Sequence, residues 1–214
     1  LMLKISKKIQ FSSDENKMNS IANTKIARDL YYSTKNQNVK FLLEKRFSWM
    51  NEFINENDIG IEVGAAAGFS KKFIKSNNFK ISDFANHSHL DYKNVDAQET
   101  GFKDNEFNFV ISSNMIHHLP YPLKFFDEMH RILKKGGKLI IFDAHCSVLL
   151  QLVLILMKHE GFDFTKNVWN PDEPSTDSND LWSGNSAVPY LIFNDEKVFE
   201  KKLGSKFKLK YKLI

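Results

Sequence analysis

Short apolar runs separated by polar, turn-rich stretches dominate the middle of the chain. Residues 59–63, 79–84, 107–113 and 138–143 each read as a buried strand, and residues 90–95 as an irregular one. Helical spacing follows the first run at residues 70–76 and precedes the last at residues 122–133. Strands alternating with helices imply an α/β fold: a doubly wound, mostly parallel sheet with helices on both faces. Lys135-Gly136-Gly137 supplies the turn from helix to strand, since glycine accepts positive φ freely. Upstream, Phe41, Leu42, Phe47, Met50, Phe53 and Ile54 space as an amphipathic helix within residues 31–54.

Downstream, residues 148–157 read as a buried or cap helix, and residues 163–185 as a long loop of the kind that often carries function. Phe207, Leu209, Tyr211 and Leu213 alternate with lysines, which predicts a half-buried edge strand. The chain thus divides into an N-terminal helical segment or cap (1–54), a ligand-binding core (55–145) and a substrate-side helix, loop and C-terminal strand (146–214).

Composition narrows the class. The 214 residues are 42% hydrophobic and 26% charged, which excludes disordered and fibrous chains and suits one globular domain. The net charge of +4 is spread among alternating signs, so the lysines read as solvated surface and argue against a nucleic-acid partner. Cys146 is the one cysteine, which excludes an intrachain disulfide and fits a reducing, cytoplasmic setting. Residues 1–25 lack the apolar core of a signal peptide. Residues 148–157, interrupted by Gln151, are too few to span a bilayer, which leaves peripheral membrane contact open.

The strongest chemical signal is Gly60-Ile61-Glu62-Val63-Gly64-Ala65-Ala66-Ala67-Gly68-Phe69-Ser70. A buried strand runs into small residues and then a helical start, where a ligand can approach the backbone and free N–H groups. Asp83, at the end of the second strand, is placed to accept both ribose hydroxyls of an adenosine. A tight turn with no ligand explains the loop equally simply. A nicotinamide dinucleotide is the rival ligand, but the middle glycine of Gly-x-Gly-x-x-Gly is missing, and Glu62 suits a cationic ligand better than a phosphate.

Taken in order, these residues resemble the class I S-adenosylmethionine-dependent methyltransferases, in particular the branch acting on quinones and other small molecules. Glu62-Val63-Gly64 through Gly68 resembles the first motif, with Ala66 where the family has its central glycine. Val95-Asp96-Ala97 and the stretch 102–107 resemble the adenine-binding acid and the lead into the fourth strand. Residues 108–119, ending Met115-Ile116-His117-His118-Leu119, resemble the strand-four motif, and Phe126 to Phe142, with Arg131 to Gly137 within it, the helix, glycine turn and fifth strand. The resemblance covers about residues 55–145 and implies a Rossmann-like core. The family's sheet ends in two further strands, of which one candidate precedes Ile214.

The resemblance implies that Gly64, Ala66 and Gly68 line S-adenosylmethionine and its product S-adenosylhomocysteine. By the same resemblance Glu62 favours the amino-acid end, Asp83 holds the ribose, Asp96 with Ala97 takes the adenine, and Ser113 and Asn114 touch the methionine part. His117 and His118 face the substrate. They are the candidate general bases together with His159 and His145, because histidine titrates near neutral pH; Glu160 and Asp163 are weaker candidates. His145 beside Cys146 lacks a third ligand, so no metal site is expected.

The expected activity is methyl transfer to a small-molecule acceptor: a metabolite, a saccharide or a lipid-like compound, with residues 1–54 and the region after Asp143 as a lid. Two other readings stand beside it: a binding or scaffold protein that keeps the fold without turnover, and a nicotinamide-dependent oxidoreductase. The acceptor atom, the pathway and the oligomeric state are not encoded in these patterns.

Overall fold

The computed structural model describes residues 4–11, 24–33, 37–158, 160–180 and 183–210. In chain order the elements are β1 (Lys8–Ile9), α1 (Thr24–Tyr32), α2 (Gln37–Phe47), β2 (Ile59–Val63), β3 (Asn78–Asp83), β4 (Tyr92–Lys93), β5 (Phe107–Ser113), α3 (Pro122–Ile132), β6 (Leu133–Phe142), α4 (Val148–Met157), β7 (Phe162–Asp163), α5 (Val188–Phe193) and α6 (Glu196–Leu203). They form two compact units. A sheet unit takes the described residues of 19–114 and 131–142; a second unit takes those of 4–18, 115–130 and 143–210.

The sheet unit holds five parallel strands in the order β4-β3-β2-β5-β6. Numbered along the sheet's own chain path this is 3-2-1-4-5, so the winding reverses between β2 and β5. The α/β class and doubly wound parallel sheet expected from the sequence are therefore present. Strands β2 and β5 are buried along most of their length, which is why they read as continuous apolar runs. Leu43, Phe47 and Met50 pack with Phe79, Ile81, Phe109 and Ile111 into one core.

Several expected elements are altered. The helix expected over 31–54 is split into α1, α2 and a 3₁₀ turn at Ser48–Phe53, and residues 34–36 lie outside the described ones. Of its apolar positions, Phe41 and Leu42 are exposed while Phe47 and Met50 are buried. The helix expected at 70–76 is one 3₁₀ turn, Phe69–Lys72. Residues 64–68 form the small-residue loop, so too little chain remains before Asn78 for a helix and its return. Lys135-Gly136-Gly137 does not separate helix from strand. β6 already begins at Leu133, and the register jumps from Phe107↔Leu133 to Phe109↔Lys138 with Gly136 at φ +79°, a bulge inside the strand. No strand pairs beyond β6 among the described residues.

In the second unit β1 pairs antiparallel with β7, and Lys8 Nζ lies 3.2 Å from Asp163 Oδ2. Ser147 caps α4 by accepting from Leu150 N, and α4 spans the residues expected. Its buried positions are Gln151 and Leu154, whereas Leu149 and Leu156 are 71% and 82% exposed, so of the buried and cap alternatives expected it is not the buried one. Gln151 is satisfied inside: Oε1 accepts from Ile5 N at 3.0 Å and Nε2 donates to Cys146 O at 3.1 Å. Cys146 is fully buried, and burial pushes its thiol up to about 12. Phe126 meets Phe193, Phe199 and Phe207 edge-on. Residues 207–210 form no strand, and the remainder of that expected strand, 211–214, lies outside the described residues. No helix among the described residues is long and apolar enough to cross a membrane.

Candidate functional site

The loop after β2 leaves the sheet at its carboxyl end, next to the point where the winding reverses. Gly64, Ala66 and Gly68 all take left-handed backbone, at φ +72°, +44° and +70°. A side chain at Gly68 would be strained by its φ and would press on Ile81 Cδ1 at 2.7 Å. Ala66 bears a Cβ in a conformation that costs a non-glycine residue about 1–2 kcal/mol. Substituting Ala66→Gly is therefore expected to leave the thermal midpoint unchanged or raise it, while Ala67→Gly, at a buried position of ordinary φ, lowers it. A fall of equal size in both melts would show that the loop carries no strain at Ala66.

Asp83 closes this loop from the end of β3. Its Oδ2 accepts from Ala66 N at 2.8 Å and its Oδ1 from Ala85 N at 2.8 Å. Asp96 accepts from Gln98 N at 2.8 Å in a tight turn, with Ala97 buried beside it. Both acids therefore shape turns at the positions the sequence marked.

Three residues that sequence reasoning missed also converge on the loop and the strand ends. His89 Nε2 donates to Ala66 O at 2.7 Å, and Arg28 Nη1 donates to Ala67 O at 2.7 Å. Burial, with Arg28 nearby, holds the His89 imidazolium below its usual range. Arg46, on α2, lies over the Phe142 ring, 5.4 Å from its centroid. With the Asn114 amide turned so that its oxygen faces Arg46, that oxygen accepts from both guanidinium nitrogens, at 3.2 and 3.3 Å. The only hint in the sequence was their position on a helix or turn flanking the core.

Glu62 is buried within β2 and accepts a hydrogen bond from Ser70 Oγ. Burial raises its carboxyl to about 7, against the Ser70 bond and the Arg46 charge, with Asp83 adding to the rise. At the end of β5 the Ser113 hydroxyl is shielded from solvent and has no hydrogen-bond partner among the described residues. The sheet unit thus brings Glu62, Gly64, Ala66, Gly68, Asp83, Ser113 and Asn114 to one end of the sheet, with Asp96 following β4.

His117 and His118 belong to the second unit. Segments of the 163–185 loop fix them: Asn185 N donates to His117 O at 2.8 Å and Thr176 Oγ1 to His118 O at 3.0 Å. His117 Nδ1 donates to Asp143 Oδ1 at 2.6 Å, and its Nε2 lies 3.2 Å from Glu160 Oε2. His118 Nδ1 donates to the Ser183 carbonyl at 3.1 Å, and its Nε2 lies 3.6 Å from Glu160 Oε1. Burial alone would lower the His117 imidazolium, but Asp143 and Glu160 outweigh it and hold it up to about 10. Burial and the neighbouring His117 push His118 down. Asp143 was not read as functional from the sequence, although it follows the carboxyl end of a parallel strand, where ligand-facing residues gather.

His159 lies outside the described residues. His145 packs against Tyr190 rather than joining this cluster. The Asp163 carboxylate is buried; Thr165 and Lys8 overcome that burial and hold it below its usual range, so it serves β7 and its turn.

A parallel doubly wound sheet with a small-residue loop at its switch point is the arrangement at which open α/β sheets bind their ligands. Residues 64–141 match the family described as a methyltransferase domain. Among curated proteins, phosphoethanolamine N-methyltransferase 2 of Caenorhabditis elegans is 39% identical over 54 residues, 25% of this chain and 12% of that protein. An uncharacterised protein of Methanocaldococcus jannaschii is 30% identical over 90 residues, 38% of this chain and 42% of that one. The chain thus spans less than half the length of either curated relative. Among solved structures, a protein of Pyrococcus horikoshii aligns at a TM-score of 0.46 and 20% identity, covering 58% of this chain and 64% of that one.

Proposed function

We propose that the chain binds S-adenosylmethionine on the sheet unit and transfers its methyl group to a small-molecule acceptor. The observation that carries this reading is the loop at residues 64–68, left-handed at three positions, at the switch point of a sheet in a stretch that matches a methyltransferase domain. The residues present fit the cofactor. A buried hydroxyl at Ser113 with no partner among the described residues, a buried carboxyl at Glu62 and a guanidinium at Arg46 stand at the strand ends. These are donors and acceptors suited to an amino acid bearing a positive sulfur.

When bound, S-adenosylmethionine supplies an electrophilic methyl group on a sulfonium. Glu62 and Asp83 favour the cation and the ribose hydroxyls, Arg46 the carboxylate, and Asp96 with Ala97 the adenine. Gly64, Ala66 and Gly68 admit the ligand close to the backbone. His117, His118 and His159 remain the proposed catalytic histidines on the acceptor side, and a hydroxyl or amine acceptor would need its proton removed.

Calorimetric titration with S-adenosylmethionine and S-adenosylhomocysteine tests the proposal. Micromolar binding is expected, weakened at least tenfold in Asp83→Ala with the fold retained, because the mutation frees the Ala66 and Ala85 N–H groups as well as removing the ribose acceptor. Folded protein that gives neither heat nor thermal shift with either ligand, or that binds NADH instead, overturns it.

A further inference from the structure

The cluster in the second unit gathers two imidazoles and a carboxylate at the spacing of a candidate ligand set. Each imidazole is tied at Nδ1 to a pure acceptor, His117 to Asp143 and His118 to the Ser183 carbonyl. That places the Nδ1 proton on each ring and leaves each neutral ring with an Nε2 lone pair. Both lone pairs converge on one carboxylate, Glu160, with the ring centroids 4.2 Å apart. Two lone pairs and a carboxylate, which also accepts from Ser186 Oγ at 3.4 Å, repel unless a proton or a metal cation lies among them. A single proton on His117 serves one imidazole and leaves His118 facing Glu160 unprotonated.

The spacing is that of a ligand set. Nitrogen and oxygen ligands sit about 2.0–2.2 Å from zinc, which puts neighbouring ligand atoms of a tetrahedron roughly 3.3–3.6 Å apart. The nitrogen–oxygen separations, each to a different oxygen of the carboxylate, are 3.2 and 3.6 Å, and one ligand atom from each residue lies within 4.8 Å of the others. Asp143 behind His117 is the carboxylate that orients a ligating imidazole from its far side, and it is held by Ile116 N at 3.0 Å and Ala144 N at 2.7 Å. The side chains of His117, Glu160 and His118 are only 8%, 14% and 28% exposed. In place of the His117 proton, one divalent cation would balance the two carboxylates with both imidazoles neutral.

We propose that His117 Nε2, His118 Nε2 and the Glu160 carboxylate bind a divalent transition-metal ion, of which zinc is the type, with a fourth position open to water or another oxygen donor. Imidazole ligands select such ions over magnesium and calcium, which take oxygen sets. The site stands independently of the methyl-transfer reading, since all its residues lie in the second unit. With the ion bound, His118 is a ligand and no longer a free base.

The test uses the whole 214-residue chain, stripped with a chelator and titrated with zinc or cobalt chloride by calorimetry. One ion per chain at micromolar affinity or tighter is expected, with visible cobalt bands of tetrahedral intensity and no heat from magnesium or calcium. His118→Asn and Glu160→Gln should each weaken zinc at least tenfold while retaining the circular dichroism spectrum. His130→Asn, at an exposed histidine on α3, should bind as the unaltered chain does. If His118→Asn fails to fold, Glu160→Gln and the cobalt spectrum still decide. No stoichiometric zinc or cobalt binding, or binding unchanged in both cluster variants, overturns the proposal and leaves a protonated His117 bridging two carboxylates.

Discussion

Gly60→Ala is expected to lower the stability of the chain by about 3 kcal/mol, the upper range for overpacking a closed core. Gly60 pairs in register with Phe79 on one side and Phe109 on the other. The two phenylalanine rings stack across it, 5.7 Å apart and 17° from parallel. A Cβ at Gly60 would fall inside the Phe109 ring, overlapping Cζ, Cε1 and Cε2. Phe109 is fully buried among Ile81, Ile111 and Met50, so its ring has nowhere to go. Urea unfolding should show the midpoint falling with little change in slope. Phe109→Leu in the Gly60→Ala background should recover part of the loss, whereas the same change alone costs stability. Unfolding of Gly60→Ala within about 0.5 kcal/mol of the parent, the scale of a neutral surface change, would rule out this packing.

That role of Gly60 could not be read from the sequence, where the residue merely opened the small-residue stretch. A gap that exists because rings from two neighbouring strands meet over it is a property of register, not of local pattern. Where the physics is local, the sequence was informative. β2 and β5 begin and end where the apolar runs do, because strands buried on both faces tolerate few polar residues. α4 begins where Ser147 caps it. The reading failed where a tertiary demand overrode propensity: the 70–76 stretch is too short to be both loop and helix, and the 135–137 stretch is absorbed as a bulge because Leu133 already pairs with Phe107. The residues that the fold gathers at the strand ends were visible in order along the chain. Their partners were not, since Arg28, Arg46 and His89 come from distant segments to the same strand ends. His117 and His118 were visible as a pair, but the carboxylates that define their chemistry, Asp143 and Glu160, come together with them only through the fold.

Stability and cofactor affinity are expected to respond to pH in opposite directions, and Glu62 is the cause. Its carboxyl sits at about 7 in the folded chain against 4.5 ordinarily, because burial penalises the charge. Below pH 4.5 it is protonated folded or unfolded and contributes no difference. Between pH 4.5 and 7 the unfolded chain ionises while the folded chain keeps its proton, so stability falls as pH rises, by about 3 kcal/mol once pH passes 7. Glu62→Gln keeps an acceptor for Ser70 and removes that titration. It should gain about 3 kcal/mol over the parent in urea unfolding at pH 8, and under about 1 kcal/mol at pH 5. A gain of equal size at both values would trace the effect to something other than the Glu62 charge. Cofactor binding should run the other way. A positive sulfur beside Glu62, with Asp83 and Arg46 as the other charges facing it, favours the ionised carboxylate. Affinity for S-adenosylmethionine should therefore fall as pH drops below about 7, by at most tenfold per unit, and should be weaker and flat over that range in Glu62→Gln. A residue that costs the fold stability at neutral pH is thus the one the proposed cofactor would use, the balance expected of a buried charge kept for binding rather than for stability.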